Sequence, residues 1–488
     1  MCVARFAFGL PHPVAVLAMV VVTALLSASP ARGQTWTQVW SDEFDSPAGT
    51  AIDASKWQFD RGNLGVNNEL EFYCAPSDPS PCDAANPNAF IDGSGHLILQ
   101  AIRLNSGTSA GSNSWTSARL NTGNNLASFQ YGRIESRMQL PVGAGLWPAF
   151  WALGNNINTV GWPACGEMDF MENVPASAGL GPNVVSSTIH GPGYFGGNGL
   201  GKKYTLPNGS DITSFHIYGA IWSPYMVQFY VDDPSNVFFI RTANDIPTGS
   251  SWAFNHPFFA LANLAVGGTG SWPGPPDSTT PSPAQMVVDY VRAYQPAKIP
   301  VADMGTPSPL TVKAGASGST TLHLTAPTGS GRAYLSCSVD APKSTCEISS
   351  GNALNASVVD FSSSPSATAT LSVHTTANMT TADLFPRTSS RLGLALAMTA
   401  MLTLGAVWMA PGRARASALG MTLLTLLLAA ACIAQGCGAG SGGGGGGGSG
   451  GNGTPPGSYH AKVSVYNLSS DLSDTASYGT VSISLTVN

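Results

Sequence analysis

Glu167, Asp169 and Glu172 fall within six residues of one another, in the run "GEMDFMENV" at positions 166–174. Only 10% of the 488 residues are charged, so three acids in one apolar run need a reason. Close carboxylates repel, and the repulsion drives their pKa values apart. Unlike roles for two carboxylates are what glycoside hydrolysis requires. One attacks the sugar carbon while the other protonates the leaving oxygen, and in retaining enzymes the two lie ~5–5.5 Å apart. Neighbours on one strand can meet that separation. A solvated acidic strand or a calcium loop would use the same residue types, but the apolar residues between the acids argue against both.

The spacing makes a structural demand. A strand alternates faces with period two, so Glu167 and Asp169 share a face while Met168 and Phe170 point into a core. In a regular strand Glu172 would join Met168 and Phe170. One extra residue, a β-bulge between Asp169 and Glu172, returns it to the acidic face. Pyranose rings also need flat apolar platforms, which Trp147, Trp151, Trp162 and Trp272 can supply. A single tryptophan is more often core than platform, but several in Pro/Gly-rich segments near the acids shift that balance. His190, in "STIHGPG", is expected on the next strand. There it either hydrogen-bonds sugar hydroxyls or the acids, or is simply structural.

The elements that must hold these groups are short and alternating. "HLILQAI", "YGRIESRMQL", "MVQFYVDD" and "MVVDYVRAY" read as strands, broken by Gly, Pro and Asn, and no long 3.6-period helix appears. Residues 35–298 therefore read as an all-β antiparallel sandwich or barrel. Residues 301–380 turn to Ser, Thr, Ala and Gly, with alternating runs that suggest a small Ig-like β module. Residues 392–434 hold two uncharged apolar runs separated by "PGRARAS", which read as a transmembrane hairpin. A Gly-rich linker at 438–456 follows. Two strand-like runs at 457–488 are too short to fold alone and are expected to complete the Ig-like module.

Net charge is −6 with no basic block, which excludes a nucleic-acid partner. Residues 1–33 read as a signal peptide, with Arg5 before an apolar core and small residues at Ala31 and Gly33; a membrane anchor is the alternative. Export makes Cys74–Cys82 and Cys337–Cys346 local disulfides, and Cys165 reads as a buried small residue.

The order of motifs from Trp40 to Tyr294 resembles glycoside hydrolase family 16, in its bacterial laminarinase-like endo-β-1,3-glucanase branch. "WSDEFD", "NNELEFYC", "DGSGHLIL", "YGRIESRMQLP", "GLWPAFWALG", "WPACGEMDFMENV", "FHIYGAIWSP", "FFALANLAVGG" and "MVVDYVRAYQ" carry it. The resemblance implies a β-jelly roll (concanavalin A-like) with Glu167 as nucleophile, Glu172 as general acid/base and Asp169 tuning the nucleophile through a shared hydrogen bond. It implies sugar contacts at Asn67, Arg133, Trp147, Trp151 and His190, and a structural Ca2+ on Glu43, Gly93 and Asp289. No cofactor is expected for the chemistry. The substrate implied is β-1,3-glucan or mixed-linkage β-glucan. Apart from the resemblance, the signal peptide and the C-terminal apolar runs suggest an exported enzyme, either secreted or anchored at the membrane. The alternatives are a β-glucan-binding recognition protein on the same scaffold and a hydrolase of another polysaccharide such as a galactan.

Overall fold

The computed structural model describes residues 36–104, 114–207, 209–296, 302–377, 453–467 and 479–488. The expected signal peptide, apolar hairpin and most of the Gly-rich linker lie outside the described residues. Among those described, no helix is long and apolar enough to cross a membrane.

Strands rich in β-branched and aromatic residues build two large sheets, a jelly-roll sandwich. The seven-stranded sheet runs Leu200–Thr205, Val184–His190, Glu167–Glu172, Leu146–Gly154, Phe258–Val266, Arg119–Asn121, Gln58–Phe59. The ten-stranded sheet has the path Val237–Thr242, Met226–Val231, His216–Ser223, Gly132–Gln139, Ala284–Pro296, Leu97–Arg103, Trp115–Ser117, Glu71–Tyr73; Trp36–Asp42 and Ala89–Ile91 pair alongside it. Between them lies one core. Met168, Phe170 and Met171 from the first sheet meet Tyr218, Trp222 and Phe229 from the second, all nearly inaccessible. Each such side chain contributes roughly 1.5–3 kcal/mol by leaving water. That burial fixes which face of the acid strand is left for chemistry.

The ladder beside the acids is broken as their spacing requires. Asp169 sits opposite Trp151, yet Met171 sits opposite the very next residue, Phe150, so Phe170 is the extra residue. On the other side Asp169 faces Thr188 and Glu172 faces Ser186, three steps against two. Phe170 and Met171 both go into the core, and all three acids share the opposite face.

Residues 302–377 form a second, smaller two-sheet sandwich. Its five-stranded sheet includes the closing strands: Gly457–Asn467 pairs with Arg332–Val339, and Gly479–Val487 pairs in parallel with Leu310–Val312. Its three-stranded sheet is Ser317–Thr325, Ser366–Thr375, Ser344–Ser349. The Cys337–Cys346 disulfide joins the two sheets, and Cys74–Cys82 closes a loop in the first sandwich. This smaller unit packs on the ten-stranded sheet. Tyr225 meets Tyr466 edge-on at 4.9 Å, Tyr334 Oη donates to Asn244 Oδ1 at 2.9 Å, and Asn355 Nδ2 donates to Asp245 Oδ2 at 2.7 Å.

Candidate active site

Gly166 opens the acid strand at φ +75°, a left-handed conformation that glycine adopts without a Cβ penalty. A Cβ there would also lie 2.6 Å from the Ala253 carbonyl oxygen. The strand then delivers Glu167, Asp169 and Glu172 to the open face. Two indoles grip the outer acids. Trp162 Nε1 donates to Glu167 Oε2 at 3.0 Å, and Trp147 Nε1 donates to Glu172 Oε1 at 3.0 Å. His190, opposite Glu167 on the next strand, places Nε2 3.1 Å from Asp169 Oδ2 and 3.6 Å from Glu167 Oε1. The direct hydrogen bond expected between Asp169 and Glu167 is absent among the described residues; they are linked through charge and through this imidazole. His190 itself is wedged by Gly199, where a Cβ would fall 2.3 Å from the ring.

The electrostatics follow from burial. Desolvation pushes Glu167 up to about 8, with the charge of Asp169 adding to it and His190 opposing. Glu172 is likewise raised to about 8, first by desolvation and then by Asp169. Burial holds Asp169 well above the usual carboxylate range. The row therefore retains protons near neutrality. That is the state in which one carboxyl can donate while another, once ionised, attacks.

The structure brings most of the expected sugar-contact residues to this face. Trp147 and Trp272 pack edge-to-face at 5.6 Å on the Glu172 side. Trp151, directly across from Asp169, donates Nε1 to Asn263 Oδ1 at 2.8 Å. Asn67 lies on a rim segment, at φ 53°, and donates to Glu69 Oε1 at 3.0 Å; the adjoining Asn68 carbonyl accepts from Gly268, in the segment leading to Trp272.

Arg133 is a correction. It belongs to Gly132–Gln139 in the ten-stranded sheet, where Ile134 and Met138 face the core, so Arg133 projects from the far side of the sandwich. There its guanidinium lies over Tyr294 at 3.9 Å and Trp36 at 5.0 Å, away from the acids. The arginine on the acid face is Arg119, which lies over the Trp151 ring at 4.7 Å and pairs with Asp60 at 2.7 Å. Its signal was present in "ARLNT", where buried Leu120 puts Arg119 and Asn121 on one other face. Phe195 was also unforeseen. It stands edge-on to Trp162 at 5.4 Å, and both are exposed.

Of the residues expected to hold Ca2+, the two carboxylates, Glu43 and Asp289, do not fit one as placed. Glu43 is clasped by Arg292 through three contacts of 2.6–3.2 Å, and Asp289 pairs with Arg137 at 2.5 Å. Each carboxylate already faces a guanidinium, which opposes a divalent cation.

A row of close carboxylates between aromatic rims on a β-sandwich is an arrangement suited to cleaving glycosides. The profile of Glycosyl hydrolases family 16 matches residues 87–292. The "Beta-glucanase" of Rhodothermus marinus is 37% identical over 272 residues, covering 53% of this chain and 85% of that protein. The chain belongs to glycosyl hydrolase family 16. The "Glucan endo-1,3-beta-glucosidase A1" of Niallia circulans is 31% identical over 268 residues, 53% of this chain and 37% of that protein. The "Beta-1,3-glucan-binding protein" of Penaeus monodon is 34% identical over 176 residues, 32% of this chain and 48% of that protein. The chain thus spans well under two thirds of the length of these last two relatives.

Proposed function

We propose that the chain is an exported, retaining endo-β-glucanase acting on β-1,3-glucan or mixed-linkage β-glucan. The observation that carries this is the complete Glu–Asp–Glu row on one open face, with an indole N–H on each outer glutamate. In the first step ionised Glu167 attacks the anomeric carbon. The glycosidic bond breaks, and Glu172 gives its proton to the departing oxygen. In the second, Glu172 takes a proton from water, which displaces Glu167 and restores both groups with the β-configuration kept. Asp169 and His190 hold the nucleophile and set its charge. Trp162 with Phe195, and Trp147 with Trp272, are platforms for sugars on the two sides of the acids. The relatives that carry β-glucan names support the substrate class.

Glu167→Gln is expected to abolish hydrolysis while glucan binding persists. Glu172→Ala is expected to regain turnover with azide and to yield a β-glycosyl azide. An α-configured product from the wild-type enzyme would refute retention. Reducing-sugar release from laminarin, lichenan and agarose, run side by side, tests the substrate class; binding without release from any of them would favour the recognition-protein reading.

The smaller sandwich is read as an Ig-like accessory module, and residues 392–434 as a membrane hairpin that keeps the enzyme at the exported face. Fractionation tests the hairpin: recovery of the full-length mature protein without detergent, with 392–434 present, would overturn it.

A further inference from the structure

His190 brings a nitrogen donor to the carboxylates. Its Nε2 lies 3.1 Å from Asp169 Oδ2 and 3.6 Å from Glu167 Oε1. One ligating atom from each of Glu167, Asp169 and His190 lies within 4.8 Å of the other two, and no other group of three histidine, cysteine or acidic side chains meets that spacing among the described residues. The ligands of a tetrahedral Zn2+, at bond lengths of about 2.0–2.1 Å, stand about 3.3–3.4 Å from one another. The two separations at Nε2 bracket that value. The three atoms therefore form one face of a tetrahedron. The side chains of Glu167 and His190 are 15% and 11% exposed, so water reaches the fourth position.

Each donor keeps a lone pair for a cation. Glu167 gives Oε2 to the Trp162 indole, which leaves Oε1 toward the imidazole. Asp169 is 4% exposed, and its Oδ2 accepts no hydrogen bond among the described residues. His190 Nε2 approaches it at 3.1 Å but out of line for one. A buried carboxylate oxygen without a donor is destabilising, and a bound cation would satisfy it. The ring is held in place, because Gly199 packs so close that a Cβ there would fall 2.6 Å from Nδ1. One imidazole nitrogen and two carboxylate oxygens suit Zn2+. Ca2+ takes six to eight oxygens and Mg2+ keeps several waters, so neither matches this set. His190 Nδ1 is buried without a hydrogen-bond partner among the described residues. Histidines of permanent metal sites give that second N–H to an acceptor. The set is therefore suited to an ion that comes and goes.

We propose that Glu167, Asp169 and His190 bind one Zn2+ ion reversibly, and that the bound ion switches hydrolysis off. The switch rests on the reading of Glu167 as nucleophile. Binding is an exchange: the protons held by the three side chains pass to water, and one Zn2+ takes their place. The attacking lone pair of Glu167 is then engaged by the ion, and the ion with its water stands where the anomeric carbon has to come. Glu172, held by Trp147, lies outside the donor set and is left without a nucleophile to work with. Zn2+ and glucan therefore exclude each other.

The test uses the full-length protein, stripped of metal with a chelator, and reads binding and turnover separately. Calorimetry with zinc chloride is expected to show an ion whose affinity falls by about tenfold or more in His190→Gln, since even groups behind a metal ligand are worth that much. Zinc binding equal in wild type and His190→Gln would place the ion elsewhere and overturn the proposal. Should His190→Gln fail to fold, wild type decides: zinc affinity unchanged by saturating laminarin oligomer overturns it. In turnover, Zn2+ is expected to raise the apparent KM for laminarin with kcat kept. EDTA restores the rate, and Mg2+ or Ca2+ at the same concentration leaves it unchanged. A fall in kcat at constant KM, or no inhibition at zinc concentrations that calorimetry shows to be saturating, would also overturn it. If metal-free wild type cleaves no β-glucan, the hydrolase reading fails by itself, and calorimetry still decides the ion site.

Discussion

Asp169 is the residue on which the acid row turns. It lies between the two glutamates, and its charge raises both of them after burial has done so. Asp169→Asn removes that charge and keeps the shape. Without the repulsion Glu172 loses its proton more easily, so the basic limb of the pH–kcat/KM profile is expected to move to lower pH. A basic limb that stays in place would show that burial alone holds Glu172 up. The same shifts bear on stability. A carboxyl whose folded pKa lies above its ordinary value of 4.5 binds protons more tightly when folded, so stability falls as pH rises from about 4.5 to about 8. The double variant Glu167→Gln/Glu172→Gln is therefore expected to be more stable than wild type at pH 8, by a few kcal/mol at most, with little difference at pH 4. Denaturant midpoints at the two pH values check this.

At the scale of the element, the bulge decides whether the row exists. Phe170 is the extra residue, and both Phe170 and Met171 reach the core. Deleting Met171 leaves Glu-Met-Asp-Phe-Glu, a regular alternation with the acids still outward and Phe170 inward. It removes one buried side chain, at a cost of about 2–5 kcal/mol, and detectable hydrolysis is expected to survive. Deleting Met168 reverses the faces of whatever precedes it, so Glu167 is driven toward the core and hydrolysis is lost. Equal activity in the two deletions would contradict the register argument. The broken ladder was legible from the spacing Glu-x-Asp-x-x-Glu, because period two leaves no other way to align three acids. Which residue would be the extra one was not legible, since Phe170 and Met171 are both apolar and only the partner strands distinguish them.

At the scale of the whole molecule, the smaller sandwich is tied in two ways. The Cys337–Cys346 bond joins its two sheets across a short loop. Replacing both cysteines by serine is expected to cost about 2–3 kcal/mol by the loop-entropy argument, read as a lower unfolding midpoint of the smaller unit alone. Its contact with the larger sandwich rests on Tyr225, Tyr334 and Tyr466 and on the Asn244 and Asp245 turn. Tyr466→Ala is expected to cost about 1–3 kcal/mol and to split one calorimetric transition into two. A single unchanged transition would mean that the interface does not couple the units.

The sequence by itself determined the reactive groups, their order and the break in the strand that aligns them. Residue type sets chemistry, and strand period is local. It also determined the all-β class, from alternating runs with little helical periodicity, and the two short-range disulfides. Only the tertiary structure decided which arginine joins the acids. Alternation places Arg133 opposite Ile134 and Arg119 opposite Leu120, but each sheet of a sandwich has its own outer face, and period two does not say which sheet a strand enters. The same reason hid the pairing of Trp162 with Glu167 and of Trp147 with Glu172. It also hid a cavity whose walls come from segments near 58, 121, 155 and 259. Apart from Trp162 and Glu167, which are five residues apart and meet through a loop fold, those contacts join residues far apart in the chain, so they depend on sheet order and register, which no local pattern encodes.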